Sequence, residues 1–266
     1  MNCHSKIDRF NNSFIRNKQE LQQLLLLFQS TRMYKKIMCG RFAFWASRKR
    51  LKEEFELPYP EEALPELPAR YNIAPGTEIA AVRQLPERPR ELALLRWGLI
   101  PSWASEEKSG YRMINARAES VAQKPAFKNA FRYRRCLIPA NGFYEWQKTG
   151  GRKQPWFITL KDKDLFAFAG LWERWKNPDT GDVIESCTII TTDSNDLVRK
   201  LHDRMPVIFE PSAYGPWLSK ETRPEALAAL LRPLPSEKMK AWPVSPLVNN
   251  PANNLPECIK PVPPNT

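Results

Sequence analysis

From residue 41 onward, short apolar runs alternate with turns bearing proline, glycine and asparagine, and the period of each run indicates what it forms. Residues 41–45 alternate as a strand does. Ser47 then opens a short helix to Phe55, its hydroxyl suited to cap the first free backbone N–H groups. Residues 58–68 carry four prolines and read as a loop. Strand-like runs follow at 79–84, 92–97, 136–140, 155–160, 165–171, 183–192 and 206–209, with turns at 148–153 and 177–182. Helical patterns at 126–131, 194–201, 211–218 and 223–231 are too few and too irregular for alternating βαβ units. The pattern predicts an α+β fold: a single domain with a curved, largely antiparallel, barrel-like sheet and short peripheral helices.

The ends of the chain read differently. Residues 1–37 are polar, with seven Lys/Arg against two acidic residues. Their apolar run at 21–28 is short, late and interrupted, and no small-residue cleavage box follows it, which argues against an export signal. We expect a poorly ordered extension, either removed from the mature protein or lying ahead of a true start at Met38. A domain at 38–245 follows, then a proline- and asparagine-rich tail at 246–266.

Composition narrows the class. The 266 residues are 42% hydrophobic, enough for a real core, so overall disorder is excluded. Twenty-five prolines against ten glycines imply stiffened loops and exclude a long-helix bundle. The apolar run at 24–28 is only five residues long, so no bilayer span and no membrane partner are expected. Forty-one basic against 29 acidic residues give a net charge of +12, a field that favours phosphate-bearing partners. Cys3, Cys39, Cys136, Cys187 and Cys258 are odd in number and form no CxxC pair, which argues against a zinc cluster and a disulfide framework and for a reducing, cytoplasmic setting. With no GxxxxGK loop, a nucleotide cofactor is not expected; nor is a metal, any other cofactor or an obligate oligomer.

Six segments mix polar groups with rigid aromatics, Gly or Pro: Met38-Cys39-Gly40-Arg41-Phe42, Tyr71-Asn72-Ile73-Ala74-Pro75, Trp97-Gly98-Leu99-Ile100-Pro101, Asn115-Ala116-Arg117-Ala118-Glu119, Asn141-Gly142-Phe143-Tyr144-Glu145-Trp146 and Leu201-His202-Asp203-Arg204-Met205-Pro206. In that order they resemble the SOS response-associated peptidase family, whose members process abasic sites in single-stranded DNA. The resemblance runs from Met38 to about Phe209, and the joint occurrence of six motifs makes it specific.

If Met38 is removed, Cys39 carries a thiol and a free α-amine whose ordinary pKa near 8 leaves a neutral fraction at pH 7. The open form of an abasic deoxyribose is an aldehyde. The amine can condense with it to an imine, and the thiol can close onto the same carbon as a thiazolidine. The resemblance implies this crosslink, which shields the lesion from cleavage. An internal Cys39 could not form it, because an amide nitrogen is not basic.

Glu145 lies among aromatics, where desolvation should raise its pKa and suit it to proton transfer. The resemblance makes it the acid/base for releasing the residue before Cys39 and for imine formation. His4 lies in the extension, so His202 is the domain's only histidine; the resemblance sets it beside the sugar, opening the ring and contributing a lyase activity on reversal. Asn115 and Arg117 are two apart, so in an extended segment both face one side. The resemblance gives them the sugar and its phosphate, for which an Arg fork is suited. Arg41 and Arg204 are candidates for the DNA backbone, and Asn72 for the Cys39 site. Trp97, Trp103 and Phe42 offer flat surfaces to bases flanking the lesion, although aromatic residues are more often core. Lys124, Lys128, Arg132, Arg134 and Arg135 form a basic run that either extends a phosphate groove or is a solvated face.

The leading reading is an enzyme that crosslinks itself to abasic sites in single-stranded DNA, with peptidase activity confined to exposing Cys39. Two others stay open. One is a thiol hydrolase using Cys39 as nucleophile on other amides or proteins; the other is a non-catalytic single-strand-binding module.

Overall fold

The computed structural model describes residues 40–149 and 152–263. Phe42–Phe44 form strand β1 with all three side chains buried. Ser47 then caps helix α1 (Arg48–Phe55), its hydroxyl accepting the Arg50 N–H at 3.2 Å, and Glu56 ends the helix in a left-handed turn at φ 52°.

The further strands are β2 (Arg70–Ile73), β3 (Glu78–Gln84), β4 (Arg90–Trp97), β5 (Asn115–Arg117), β6 (Arg135–Ala140), β7 (Gly142–Thr149), β8 (Arg152–Leu160), β9 (Phe166–Lys176), β10 (Val183–Asp193), β11 (Arg204–Pro206), β12 (Ile208–Phe209) and β13 (Met239–Pro243). Short helices lie between them: α2 (Lys128–Tyr133), α3 (Asp196–Arg199), α4 (Pro211–Leu218) and α5 (Pro224–Leu230). The fold is α+β, as the pattern predicts.

Strands β10, β4, β3, β6 and β9 pair in that order, and β9 pairs back to β10 to close a five-stranded barrel. Closure leaves no ring edge unpaired. Its one parallel seam is β10 with β4, Cys187 opposite Trp97. Phe166–Trp172 are buried almost without interruption, which is why β9 reads as a continuous apolar run rather than an alternating one. A second, antiparallel sheet runs β13-β8-β7-β1-β2. The Phe42 ring joins the two sheets, meeting Trp97 and Phe168 edge-on at centroid distances of 5.3 and 5.8 Å.

The segment read as a C-terminal tail is folded against the second sheet. Its two 3-10 turns, Pro246–Asn249 and Pro256–Ile259, bury Val248 and Cys258 against Ala43, Tyr144 and Phe157. Its asparagines are hydrogen-bonded rather than merely solvated, a role that composition alone does not reveal. Among the described residues, no helix is long and apolar enough to cross a membrane.

Candidate active site

Two motif clusters lie on the two sheets, linked through the Phe42–Trp97 contact. In the first, β1 pairs with β7, Phe42 opposite Phe143, and the Tyr144 N–H donates to the Arg41 carbonyl at 3.0 Å. Continuing that register sets Gly40 across from Glu145, a carboxylate only 3% exposed. Cys39 and residues 1–38 lie outside the described residues. Gly142 opens β7 where a Cβ would stand 2.2 Å from the Phe157 ring, so the Asn-Gly pair is a packing requirement. Asn141 holds the corner: its Oδ1 accepts the Trp45 N–H at 2.6 Å, and its Nδ2 donates to the Asp164 carbonyl.

Arg41 is directed at protein carbonyls and Asn72. Its Nη1 donates to Asn72 Oδ1 and to the Val248 carbonyl, both at 2.8 Å, and its Nη2 to the Asn249 carbonyl at 3.3 Å. Burial weakens the guanidinium's hold on its proton, against the opposing influence of Tyr144 and Cys258. Asn72 is buried too, its Nδ2 donating to the carbonyls of Val248, Asn250 and Asn253. Burial also pushes the Tyr144 phenol up, and its hydroxyl donates to the Tyr71 carbonyl at 2.5 Å.

The second cluster is built on β10. Strand β5 runs parallel to it, Asn115 opposite Ile189 and Arg117 opposite Thr191. Ala116 is fully buried, so Asn115 and Arg117 share the other face, Asn115 half-buried and Arg117 exposed. On the same stretch of β10, β11 sets Arg204 opposite Asp193. Arg204 forks onto Glu119, Nη1 to Oε1 at 2.5 Å and Nη2 to Oε2 at 2.9 Å; it also reaches Asp193 Oδ1 and the Thr191 carbonyl, each at 2.7 Å. The Glu119 carboxyl is held below the usual range, chiefly by the hydrogen bonds from Arg204. Burial works to lower the Arg204 pKa, but Glu119 and Asp193 more than offset it and the net shift is upward.

His202 follows α3, and its Nδ1 accepts the Arg204 N–H at 3.0 Å while lying 2.9 Å from Asp203 Oδ1. One nitrogen cannot accept from an amide and donate to a carboxylate at once. With Nδ1 accepting the Arg204 N–H, the ring proton lies on Nε2.

Gly98 and Trp97 tie the clusters together. Gly98 has φ +133°, and a Cβ there would stand 2.8 Å from the Gly110 carbonyl oxygen. The Trp97 indole N–H donates to the Ile114 carbonyl at 2.9 Å, one residue before Asn115, while its ring packs on Phe42.

Several candidates named from the sequence therefore have other duties. Phe42 and Trp97 are 2% and 1% exposed and present no face to a base; of the three proposed platforms only Trp103, at 66%, is open. Arg204 and Arg41 already have protein partners. Arg135 is buried, donating to the carbonyls of Phe131, Arg132, Trp217 and Ser219, and Arg134 pairs with Glu173. Lys124, Lys128 and Arg132 remain exposed. Sequence reasoning missed the Glu119 clamp, whose signal was its place in the motif with Arg117, and the 248–254 segment. No group of three His, Cys, Asp or Glu suited to a metal occurs among the described residues.

A family model described as SOS response associated peptidase (SRAP) matches residues 38–251. Abasic site processing protein YoqW of Bacillus subtilis (strain 168) is 45% identical over 227 residues, 84% of this chain and 99% of its own length. Abasic site processing protein YedK of Escherichia coli (strain K12) is 32% identical over 237 residues, 85% and 100% of the two chains. A crystal structure of a Bacteroides thetaiotaomicron protein superposes with a TM-score of 0.74 at 27% identity, covering 84% of this chain and all of the other. These matches take in both motif clusters and the strands that carry them, and the chain belongs to the SOS response associated peptidase family.

Proposed function

We propose that this protein processes abasic sites in single-stranded DNA by crosslinking itself to them through Cys39. Removal of the preceding residues, by the protein's own peptidase activity or by initiation at Met38 followed by loss of that methionine, frees the Cys39 amine. That amine adds to the sugar aldehyde and loses water to give an imine; the thiol then adds to the imine carbon and its proton passes to nitrogen, closing a thiazolidine. Glu145, buried and across from the residue after Cys39, moves the protons of these steps, and His202 helps open the sugar ring by proton transfer. Asn115 and Arg117 hold the sugar and a phosphate. Trp103 offers the stacking surface, while Arg41, Asn72 and Arg204 brace the site. The protein acts as a cytoplasmic monomer at damaged DNA.

The observation that carries this reading is the β1–β7 register, which sets the start of β1 beside a buried carboxylate. Support comes also from the names of the relatives, which are abasic site processing proteins.

The test is to incubate protein beginning at Cys39 with an oligonucleotide bearing one abasic site and to run a denaturing gel. A stable shifted band is expected, absent in Cys39→Ala and dependent on borohydride in Cys39→Ser, where only the imine forms. Binding with no covalent band refutes the proposal in favour of a binding module. Turnover of added amide substrates, again without the band, refutes it in favour of a thiol hydrolase.

A further inference from the structure

Residues 248–254 lie across β1, β2 and β7 as a strap, tied by side chains on both partners. Val248 and Asn249 accept from Arg41; Val248, Asn250 and Asn253 accept from Asn72; and the Tyr71 N–H donates to Asn254 Oδ1 at 2.7 Å. Within it Asn249 is singular. Its carbonyl takes the Arg41 guanidinium at 3.3 Å, while its side-chain Oδ1 accepts the Trp146 indole N–H at 2.7 Å. Arg41 stands two residues after Cys39, and Trp146 one residue after Glu145. A single exposed residue thus bonds both to Arg41, which leads into β1 two positions after the proposed nucleophile, and to Trp146, which follows the proposed acid/base on β7.

We infer that Asn249 is a positioning residue for the crosslinking step, fixing the distance between the start of β1 and Glu145 without touching DNA. The inference rests on the crosslinking reading above. The Oδ1–Trp146 bond restrains β7 just beyond Glu145, past the last hydrogen bond between β1 and β7, and the backbone contact restrains Arg41; loss of the side-chain bond removes that added restraint while the strand pairing persists. Condensation of an amine with an aldehyde depends on the proton-transfer group lying within hydrogen-bond reach, so a small displacement slows chemistry more than binding. Because Asn249 is exposed, its truncation leaves the core intact.

The experiment compares wild type, Asn249→Ala, Asn249→Asp, Trp146→Phe and the Trp146→Phe/Asn249→Ala double variant. Two quantities are read: the rate of adduct formation at saturating abasic oligonucleotide, and affinity for a tetrahydrofuran analogue that lacks the aldehyde. Asn249→Ala should slow the adduct about tenfold with affinity unchanged within about twofold. Asn249→Asp keeps an oxygen for the indole and should recover most of the rate. The double variant should be no slower than Asn249→Ala alone, because both single changes remove the same bond. A wild-type rate in Asn249→Ala overturns the inference. So does a parallel loss of rate, affinity and melting temperature that Asp does not restore. Absence of any adduct from the wild type overturns the crosslinking reading and this inference with it, an outcome distinct from the other two.

Discussion

A guanidinium that donates to two carboxylates behaves differently from one that donates to carbonyls, and Arg204 and Arg41 are one of each. In the Arg204–Glu119 pair the carboxyl is depressed in the folded state, so its stabilisation is complete above the unfolded pKa and is lost as pH falls through the folded one. Arg204 stays charged throughout. Thermal unfolding from about pH 7 to about pH 3 should therefore show wild type losing melting temperature more steeply than Glu119→Gln once the ordinary carboxylate range is passed. Parallel curves would discard the clamp as a stabilising unit. At this scale the sequence is legible where chemistry follows from spacing, as with Asn115 and Arg117 on one face of β5. It is illegible where a residue's type suits two jobs. Phe42 and Trp97 suit core and platform equally, and only the packing of two sheets on each other buries them.

Strands are legible when their own apolar content defines them. Residues 79–84, 136–140 and 183–192 read correctly because β3, β6 and β10 are buried in the barrel wall. Strand β5 has three residues and exists because β10 offers a free parallel register, which no local pattern shows. Strand β7 was visible only as a motif, since Glu145 interrupts its apolar run. Its first residue makes a sharp prediction. Gly142→Ala would drive a methyl into the Phe157 ring, itself enclosed by Trp45, Tyr144 and Trp242, and should destabilise by about 1–3 kcal/mol or more. Chemical denaturation measures this; an unchanged midpoint would mean that Phe157 moves aside without cost.

For the whole molecule, the pattern sufficed for the α+β class and a curved, mainly antiparallel sheet, but closure of the ring depends on the parallel β10–β4 seam and so on contacts distant in sequence. The same holds for net charge: +12 predicts an anionic partner without saying which cations face it. Of the basic run, Lys124, Lys128 and Arg132 are exposed, whereas Arg134 and Arg135 are tied into the fold. If the exposed three track a single strand, replacing them together with alanine should reduce the slope of log affinity against log salt by about 2, near 0.7 per phosphate. An unchanged slope would reduce them to a solvated face.

Arg41 near the head of the folded body is bonded to Val248 and Asn249 in its closing segment, so a late stretch of the chain returns to the entry of its first strand. A circular permutant that linked the chain beyond residue 263 back to Cys39 and opened it at an outlying turn would keep that closing segment and its contacts with Asn72 and Tyr71. On the proposed mechanism it would also be chemically mute, since the linker would hold the Cys39 nitrogen as an amide. Under that proposal folding and reactivity, usually lost together, would be separable in this architecture by topology alone.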